Sequence, residues 1–320
     1  MKLAIRADRP NIIALLVEKF DADVELGVDD GQTALFEAVY SGNVQVLKQL
    51  LDYGACVNHR DWHGHTPLHL AVVMRRPVMV DLLICYGADV NIMAASDARK
   101  DLRFISCYVT SPLESALLEY SRFCSVLRID CTIAEHNARM NEHIDIIRLL
   151  VPHCNSFDFM IFDVSFIEEV SDITLPCVAF CFMAESRYCD DLRVTKYLLR
   201  NGATADFSAF YEIVKHNDDC RADLVTASFV KLCLLSGCTF TDYFDKLKQG
   251  EEQGPAGQDH RAKHVHALVK DLFSQPLTLQ ELSIMATRKR LGSHKLWAKI
   301  DALPEGMPQS VKHMIQLKTY

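Results

Sequence analysis

The feature that most constrains this chain is a pattern that returns at a fixed interval. The run GQTALFEA at 31–38 returns as GHTPLHLA at 64–71, an offset of 64 − 31 = 33 residues. With the same offset, GACVN at 54–58 returns as GADVN at 87–91. A repeat of this length is one supersecondary unit that cannot bury its apolar face alone. Neighbouring copies must therefore stack into a solenoid with one continuous core.

Each copy predicts a pair of helices. Thr66 precedes Pro67, and a threonine cap followed by a proline is typical of a helix start, where the missing N–H costs nothing. The apolar residues of 44–51 have the three-and-four spacing of a second, amphipathic helix. Gly54 and Gly87 follow that second helix, where a left-handed backbone favours glycine. We therefore expect two short helices per repeat.

Further copies of the pattern are divergent. Residues 1–25 resemble a degraded first copy, and a capping box at Ser111 restarts the pattern. The second helix of that copy comes late, so residues near 120–141 look like an insertion. Two later copies lie near 175–203 and 229–238. The total is about six repeats, with the outer ones divergent as expected of caps.

These features resemble ankyrin repeats, and the run Thr66-Pro67-Leu68-His69 is the most specific local signature of that family. The resemblance implies a solenoid whose concave surface binds macromolecules, usually proteins. It also implies a target-binding set on that surface. The target-binding set is Tyr40, Tyr53, Trp62, His63, His65, Met74 and Tyr86. Aromatic side chains at such positions often carry most of the binding free energy.

The last segment, residues 275–320, has its own pattern. Thr278 and Glu281 predict a capping box that begins a helix over 279–291. Prolines stiffen the extended strip that follows, and a short apolar helix comes last. A unit this short is too small to hold a core of its own. We therefore expect it to bury its leucines against a neighbour or a partner.

This tail resembles a SOCS box, and the order of modules resembles the ankyrin repeat and SOCS box family. In that family the first tail helix binds elongin C with elongin B. A later Leu-Pro-Leu-Pro stretch, with its following helix, contributes to the choice of cullin-5. The resemblance implies an elongin-binding set, Leu279, Leu282, Ser283, Ala286 and Leu291. It also implies a cullin-binding set, Leu303, Pro304, Met307, Pro308, Val311 and Met314.

Three departures from the family pattern weaken the expected binding. Ser283 stands where a cysteine is usual, and its hydroxyl needs a partner when buried, at a cost of ~1 kcal/mol. Thr287 stands where an isoleucine is common, which removes apolar burial worth about 1 kcal/mol. Glu305 and Gly306 interrupt the proline strip. We therefore expect weaker ligase contacts than the full family pattern would give.

The tail and the rest of the chain also differ in net charge. The net charge is −8, and residues 275–320 hold seven Lys/Arg and three Asp/Glu, which is 7 − 3 = +4. The rest therefore carries −8 − 4 = −12. An acidic chain argues against nucleic acid as the main partner. No apolar run approaches the ~20 residues of a membrane span, so no membrane is predicted as a partner.

The start of the chain lacks the apolar region of a signal peptide. We therefore expect a cytoplasmic protein, with the nucleus as the other compartment, and we expect its twelve cysteines to be reduced. No Cys-x-x-Cys pair and no catalytic or phosphate-binding motif occurs. His63, His65 and His69 crowd together, but His69 is interpreted as a structural histidine bonded to its own turn. No metal, cofactor or catalytic residue is predicted.

The sequence leads to three hypotheses on an all-α fold. The first is the non-catalytic substrate-recognition subunit of an elongin B/C–cullin-5–RING E3 ubiquitin ligase. The second is an ankyrin scaffold or inhibitor that recruits no ligase. The third, favoured least, is a metal-binding or catalytic protein that uses the cysteines and histidines. The predicted domains are an ankyrin-repeat solenoid over 1–245, a loop and connecting helix over 246–274, and a small helical SOCS box over 275–320.

Overall fold

The computed structural model describes residues 1–27, 30–94, 110–126, 133–157, 160–162, 174–189, 191–216, 221–245, 260–292, 296–303 and 307–317. Its α-helices are α1 (Lys2–Arg6), α2 (Pro10–Phe20), α3 (Ala34–Ser41), α4 (Val44–Asp52), α5 (Pro67–Val73), α6 (Pro77–Cys85), α7 (Pro112–Val126), α8 (Ile133–Leu150), α9 (Cys177–Tyr188), α10 (Arg193–Arg200), α11 (Phe207–His216), α12 (Ala227–Ser236), α13 (His260–Ser274), α14 (Leu279–Leu291), α15 (Leu296–Asp301) and α16 (Gln309–Ile315). Short 3-10 helices cover Val151–His153 and Ala222–Leu224. Residues 241–245 form a further helical turn.

The structure is mostly helical, in line with the predicted all-α fold, and it contains one short strand pair besides the helices. Within the described ranges, β1 (Met160–Phe162) pairs antiparallel with β2 (Thr174–Pro176). In the register, Ile161 lies opposite Leu175. Each strand is only three residues long, so the fold is otherwise helical.

The chain divides into two compact units. The first takes Met1–Tyr120 and Arg128–His153, and the second takes Ser121–Leu127 and Cys154–Tyr320. The predicted domain boundaries after residues 245 and 274 both fall inside the second unit and stay predictions. Residues 246–259, the first part of the predicted loop and connecting helix, lie outside the described residues.

In the first unit the repeating pattern forms successive helix pairs. α3 packs on α4, α5 packs on α6, and α3 also packs on α5. Residues one repeat apart are buried in the same way, with 0% of their surface exposed. These pairs are Ala38 and Ala71, Leu47 and Val80, and Leu50 and Leu83. The small alanines let neighbouring helices approach, and the larger side chains fill the core between them.

The start of α5 confirms the predicted cap and the structural role of His69. The hydroxyl of Thr66 accepts from the N–H of His69, and Nδ1 of His69 accepts from the N–H of Thr66 at 3.1 Å. Nε2 of His69 lies 3.2 Å from the carbonyl oxygen of Thr110 and donates to it. Burial lowers the pKa of His69 to about 4. The imidazole is therefore neutral, and both of its nitrogens are engaged.

The degraded first copy is a helix pair, α1 and α2, and the apolar side chains of α2 differ in their burial. Ile13 is fully buried, whereas Ile12 and Leu15 are 45% and 49% exposed. Of these three side chains, Ile13 therefore contributes to the core, and Ile12 and Leu15 lie at the surface.

The capping box predicted at Ser111 is present. The N–H of Ser111 donates to the carboxylate of Glu114 at 3.0 Å, and the N–H of Glu114 donates to the hydroxyl of Ser111 at 3.2 Å. The predicted insertion near 120–141 is partly a continuation of helices, because α7 runs to Val126 and α8 begins at Ile133. Residues 127–132 lie outside the described residues.

The second unit has an aromatic core. The rings of Phe182 and Phe210 meet edge to face at 5.2 Å, and Phe207 stacks on Phe240 at 4.7 Å. A buried carboxylate joins its helices, since Glu185 of α9 accepts hydrogen bonds at the start of α10. The donors are the N–H groups of Val194 and Thr195 and the hydroxyl of Thr195. The carboxylate replaces the hydrogen-bond partners that the first turn of α10 lacks.

Candidate protein-interaction surfaces

The tail begins with the helix that its capping box predicts. The hydroxyl of Thr278 accepts from the N–H of Glu281 at 3.2 Å, and the Glu281 carboxylate accepts from the N–H of Thr278 at 2.8 Å. The helix, α14, covers Leu279–Leu291 as predicted. This reciprocal cap satisfies two donors that the first turn of a helix otherwise leaves open.

The tail has a small core of its own, which corrects the prediction that it could hold none. Leu296, Ile300 and Ile315 are buried against one another. Partly buried side chains pack around them. These are Leu291, Leu303, Met307 and Val311. The prediction failed because it treated the strip after residue 300 as extended, whereas helices α15 and α16 bring both ends of that strip together.

Members of the predicted cullin-binding set therefore have a structural role. Leu303, Met307 and Val311 are half-buried in the tail core, and Pro308 is exposed at the start of α16. Met314 is partly buried on α16. Pro304 lies outside the described residues. Contact of this set with cullin-5 stays a prediction.

Two polar contacts fix α14 to helices that precede the tail. The Glu281 carboxylate forms an ion pair with the ammonium group of Lys231 on α12. The ion pair with Lys231, followed by hydrogen bonds from the backbone, lowers the pKa of Glu281. One carboxylate thus caps α14 and ties it to α12.

The second contact is made by Arg288, which is only 5% exposed. Its Nη1 donates to the carbonyl oxygen of Ile315 at 2.8 Å, and its Nη2 donates to those of Leu199 and Arg200 at 3.1 Å each. These carbonyls end α16 and α10, where the helix dipole concentrates negative charge. Burial lowers the pKa of Arg288 to about 10, so the guanidinium remains charged near neutral pH.

The sequence interpretation missed both contacts, although one signal was available. Glu281, Ile284 and Arg288 are spaced by three and four residues, so they share one side of α14. All three are buried. The sequence run Arg288-Lys289-Arg290 is basic throughout, but the helical period separates its first member from the other two, because Arg288 is buried and Lys289 and Arg290 are exposed.

The opposite side of α14 carries most of the predicted elongin-binding set. Leu279 is 87% exposed and Leu282 is 47% exposed. Ser283 and Ala286 are also exposed, at the same three-and-four spacing. We call these four residues the α14 stripe. Leu291, the fifth member of the predicted set, packs on the tail core instead.

An apolar groove of about 300 Å³ lies beside the α14 stripe. Ser283 and Thr287 line it from α14, and Met314 lines it from α16. The hydroxyl of Thr287 donates to the carbonyl oxygen of Ser283 at 2.8 Å, so it is satisfied within the helix. The rest of the lining is mainly apolar: Gln280, Ile284, Leu303, Met307, Val311 and Ile315. The groove brings Ser283 together with four residues of the predicted cullin-binding set.

The predicted target-binding set is divided between two environments. Trp62 and Tyr40 are 76% and 61% exposed, and Met74 is half-buried at the end of α5. Tyr53 and Tyr86, by contrast, are engaged at the ends of α4 and α6. The hydroxyl of Tyr53 donates to Glu18 at 2.7 Å, and that of Tyr86 donates to Asp52. These tyrosines tie each repeat to the preceding one.

The turn that presents Trp62 is held by its neighbours. The N–H of Trp62 donates to the carbonyl oxygen of Asp30 at 2.9 Å. The N–H groups of His63 and His65 donate to one oxygen of Asp61 at 3.0 and 2.8 Å. Burial alone would raise the pKa of Asp61, but these hydrogen bonds and the His65 side chain outweigh it and lower the pKa. The turn is therefore rigid around an exposed indole.

The histidine cluster offers little to a metal ion. Since both nitrogens of His69 are engaged, that ring has no available lone pair. Across the described ranges, no group of three or more His, Cys, Asp or Glu side chains is placed to hold a metal. The helices in those ranges include none that is long and apolar enough to cross a membrane.

Comparisons with known proteins support the repeats. Residues 1–94 match the family model of ankyrin repeats in three copies, so this part of the chain carries ankyrin repeats. Over 59 residues, 18% of this chain, it is 48% identical to protein phosphatase 1 regulatory subunit 27 of Homo sapiens. The match spans only 38% of that relative.

The match to a second relative covers a smaller fraction of that relative. Over 92 residues, 29% of this chain, the sequence is 34% identical to ankyrin repeat and SOCS box protein 11 of Mus musculus, and the match covers 28% of that protein. The repeats predicted beyond residue 94 and the SOCS box stay predictions. Proteins with ankyrin repeats are typically non-catalytic and bind other proteins, and the first unit presents a surface of that kind.

Proposed function

We propose that this protein is the substrate-recognition subunit of an elongin B/C–cullin-5–RING ubiquitin ligase. The ankyrin repeats hold the target protein, and the tail holds the ligase. The observation that carries the proposal is the α14 stripe, because a helix fixed on one side by Glu281 and Arg288 leaves Leu279 and Leu282 in water on the other. The partial likeness to an ankyrin repeat and SOCS box protein supports it.

The energetics of the stripe favour a protein partner. Burying a fully exposed leucine side chain contributes about 1.5–3 kcal/mol. Since Leu279 is 87% and Leu282 47% exposed, the two together offer ~2–4 kcal/mol to a helix that packs along α14. Ala286 is small and permits close approach. The neighbouring groove can receive an apolar side chain of the same partner. Anchors at i, i+3, i+4 and i+7 are typical of helix-in-groove recognition.

The target side of the proposal is the surface around Trp62 and Tyr40. Both side chains are exposed on short, well-fixed elements. Tyrosine and tryptophan offer large contact areas with few rotatable bonds, so they lose little entropy on binding. Tyr53 and Tyr86 contribute less in this proposal, since their hydroxyls already bind carboxylates.

The mechanism would be proximity. A ligase held by the tail brings its conjugating enzyme close to lysines of a target held by the repeats, which raises their effective concentration. No residue of this chain then takes part in bond chemistry. The contacts of Arg288 and Glu281 are important here because they set where the ligase side lies relative to the helices of the second unit.

A second candidate function is a protein-binding scaffold or inhibitor without ligase recruitment. Ser283 favours it, because burying its hydroxyl against an apolar partner costs ~1 kcal/mol. Co-purification of the full chain with elongin B/C separates the two functions. The ligase function predicts a stable complex that Leu279→Ala with Leu282→Ala disrupts. Leu3→Ala, which removes an exposed leucine from α1, should leave that complex intact.

A further inference from the structure

Two cysteines that the proposed ligase function does not use lie side by side in the second unit. Cys124 is in the last turn of α7, and Cys189 directly follows α9. They are 65 positions apart in sequence, yet their sulfur atoms are 3.7 Å apart. A disulfide bond is ~2.05 Å long, so the sulfurs need to approach by about 1.7 Å. Rotations about the side-chain bonds can supply a movement of that size.

Access distinguishes this pair from the other cysteines of the described ranges. Cys124 is buried, but Cys189 is partly exposed and can meet a small oxidant. Cys233 and Cys238 also interact with each other, but both are buried. Cys56 and Cys85 are exposed, and neither has a thiol contact within the described part of the chain. Among the cysteines that the structure describes, only Cys124 and Cys189 combine sulfur contact with a route from solvent.

We propose that Cys124 and Cys189 are a redox-modification site that a peroxide converts into a reversible disulfide. The thiol of Cys189 loses its proton, and the thiolate attacks one oxygen of hydrogen peroxide. The O–O bond breaks, a sulfenic acid forms, and the leaving hydroxide takes up a proton to become water. The sulfur of Cys124 then attacks the sulfenic sulfur, forms the S–S bond and releases a second water. Two thiols lose two electrons in total, and one peroxide gains them.

The bond would join the end of α7 to the end of α9. Closing a loop of this length restricts the unfolded chain, so the oxidised protein should unfold at a higher temperature. α9 packs on α10, whose last carbonyls accept hydrogen bonds from Arg288. Oxidation therefore stabilises the helices that support the tail. A thiol such as dithiothreitol should reverse the change, because the Cys189 sulfur stays accessible.

The test uses the full chain, reduced, desalted and treated with hydrogen peroxide. Remaining thiols are blocked with N-ethylmaleimide, and the digest is mapped by mass spectrometry. The expected product is a peptide pair joined through Cys124 and Cys189 that dithiothreitol separates. In Cys124→Ser, Cys189 should accumulate as a sulfenic acid that dimedone captures. In Cys189→Ser, Cys124 should stay unmodified at the same dose.

Melting temperature gives an independent readout. Oxidised wild-type protein should melt several degrees above the reduced form, and neither serine variant should show this difference. Cys233→Ser is the matched control and should keep both the bond and the shift. Wild-type Cys189 that stops at the sulfenic acid, or a bond that forms first between Cys233 and Cys238, would overturn the proposal. The wild-type map decides the matter even if a variant fails to fold.

Discussion

Arg288 donates a 2.8 Å hydrogen bond to the carbonyl oxygen of Ile315. Among the described residues, its guanidinium contacts main-chain carbonyls and no carboxylate. The same side chain reaches the carbonyls of Leu199 and Arg200. A buried cation held only by the ends of two helices is stabilised by their dipoles and by three hydrogen bonds. It joins the last helix of the tail to α10 through α14.

Replacing Arg288 by methionine should destabilise the protein. Arg288→Met keeps much of the volume but leaves two buried carbonyls and one partly buried carbonyl without their donor, at an expected cost of about 2–4 kcal/mol. Urea unfolding followed by circular dichroism measures the change. Arg290→Met, on the exposed side of the same helix, is the control and should stay within about 0.5 kcal/mol of wild type. Equal stability of the two variants would show that the Arg288 contacts contribute nothing.

The pair of Lys231 and Glu281 should show measurable coupling. A double-mutant cycle with Lys231→Met and Glu281→Gln should give a coupling free energy of about 1 kcal/mol. Because the pKa of Glu281 is lowered in the folded state, its stabilisation is present above its ordinary pKa and is lost as the pH falls through the folded value. The cycle of Lys289→Met with Glu281→Gln is the control, and coupling of the same size there would refute the specific pair.

The buried histidines should make the first unit sensitive to mild acid. The pKa values of His69 and His143 are both lowered to about 4, chiefly by burial, so the unfolded chain binds protons between about pH 6.5 and pH 4 while the folded chain does not. Stability must therefore fall as the pH falls through this window. Each histidine should cost about 2 kcal/mol between pH 7 and pH 5.

Variants show which histidine causes the pH dependence of stability. The groups around His69 are His65, Arg60 and Asp61, of which the first two oppose its protonation and the last favours it. His69→Gln should remove about half of the pH dependence measured by urea unfolding, whereas His63→Gln, at an exposed site, should leave it unchanged. A full pH dependence in His69→Gln would contradict the assignment.

Substitutions at Gly31 and Gly54 test whether the indole of Trp62 packs against Gly31. Both have a positive φ, +78° and +85°, so an alanine at either site costs roughly 1–2 kcal/mol. A Cβ at Gly31 would lie 2.6 Å from the indole of Trp62, whereas a Cβ at Gly54 would meet open space. Gly31→Ala should therefore cost more and should shift the fluorescence of Trp62 in a Trp297→Phe background. Identical effects of the two alanines would mean that the indole does not rest there.

The parts of the fold that depend on local spacing could be predicted from the sequence. The caps at Thr66 and Thr278 involve partners three residues away, and the repeat itself places its apolar residues. The contact of Arg288 with Leu199 could not be predicted, because a main-chain carbonyl has no sequence signal and the two residues are 89 positions apart. The tail core was not predicted, because prolines in the strip favour an extended backbone.

The candidate site was predictable in part for the same reason. The spacing of Leu279, Leu282 and Ala286 predicts one face of a helix, and the structure shows that this face is exposed. The spacing could not show which of the predicted residues make contacts within the protein. Tyr53 and Tyr86 bind carboxylates of the preceding repeat, and Leu291 packs on the tail core.

The most direct test of the central claim is calorimetric titration of elongin B/C into the full chain. We expect saturable one-to-one binding that Leu279→Ala with Leu282→Ala weakens by about 100-fold, since two truncated leucines remove roughly 3 kcal/mol. The Leu3→Ala protein should bind like wild type. Wild-type protein that shows no binding, or a double variant that binds as tightly as wild type, would contradict the account.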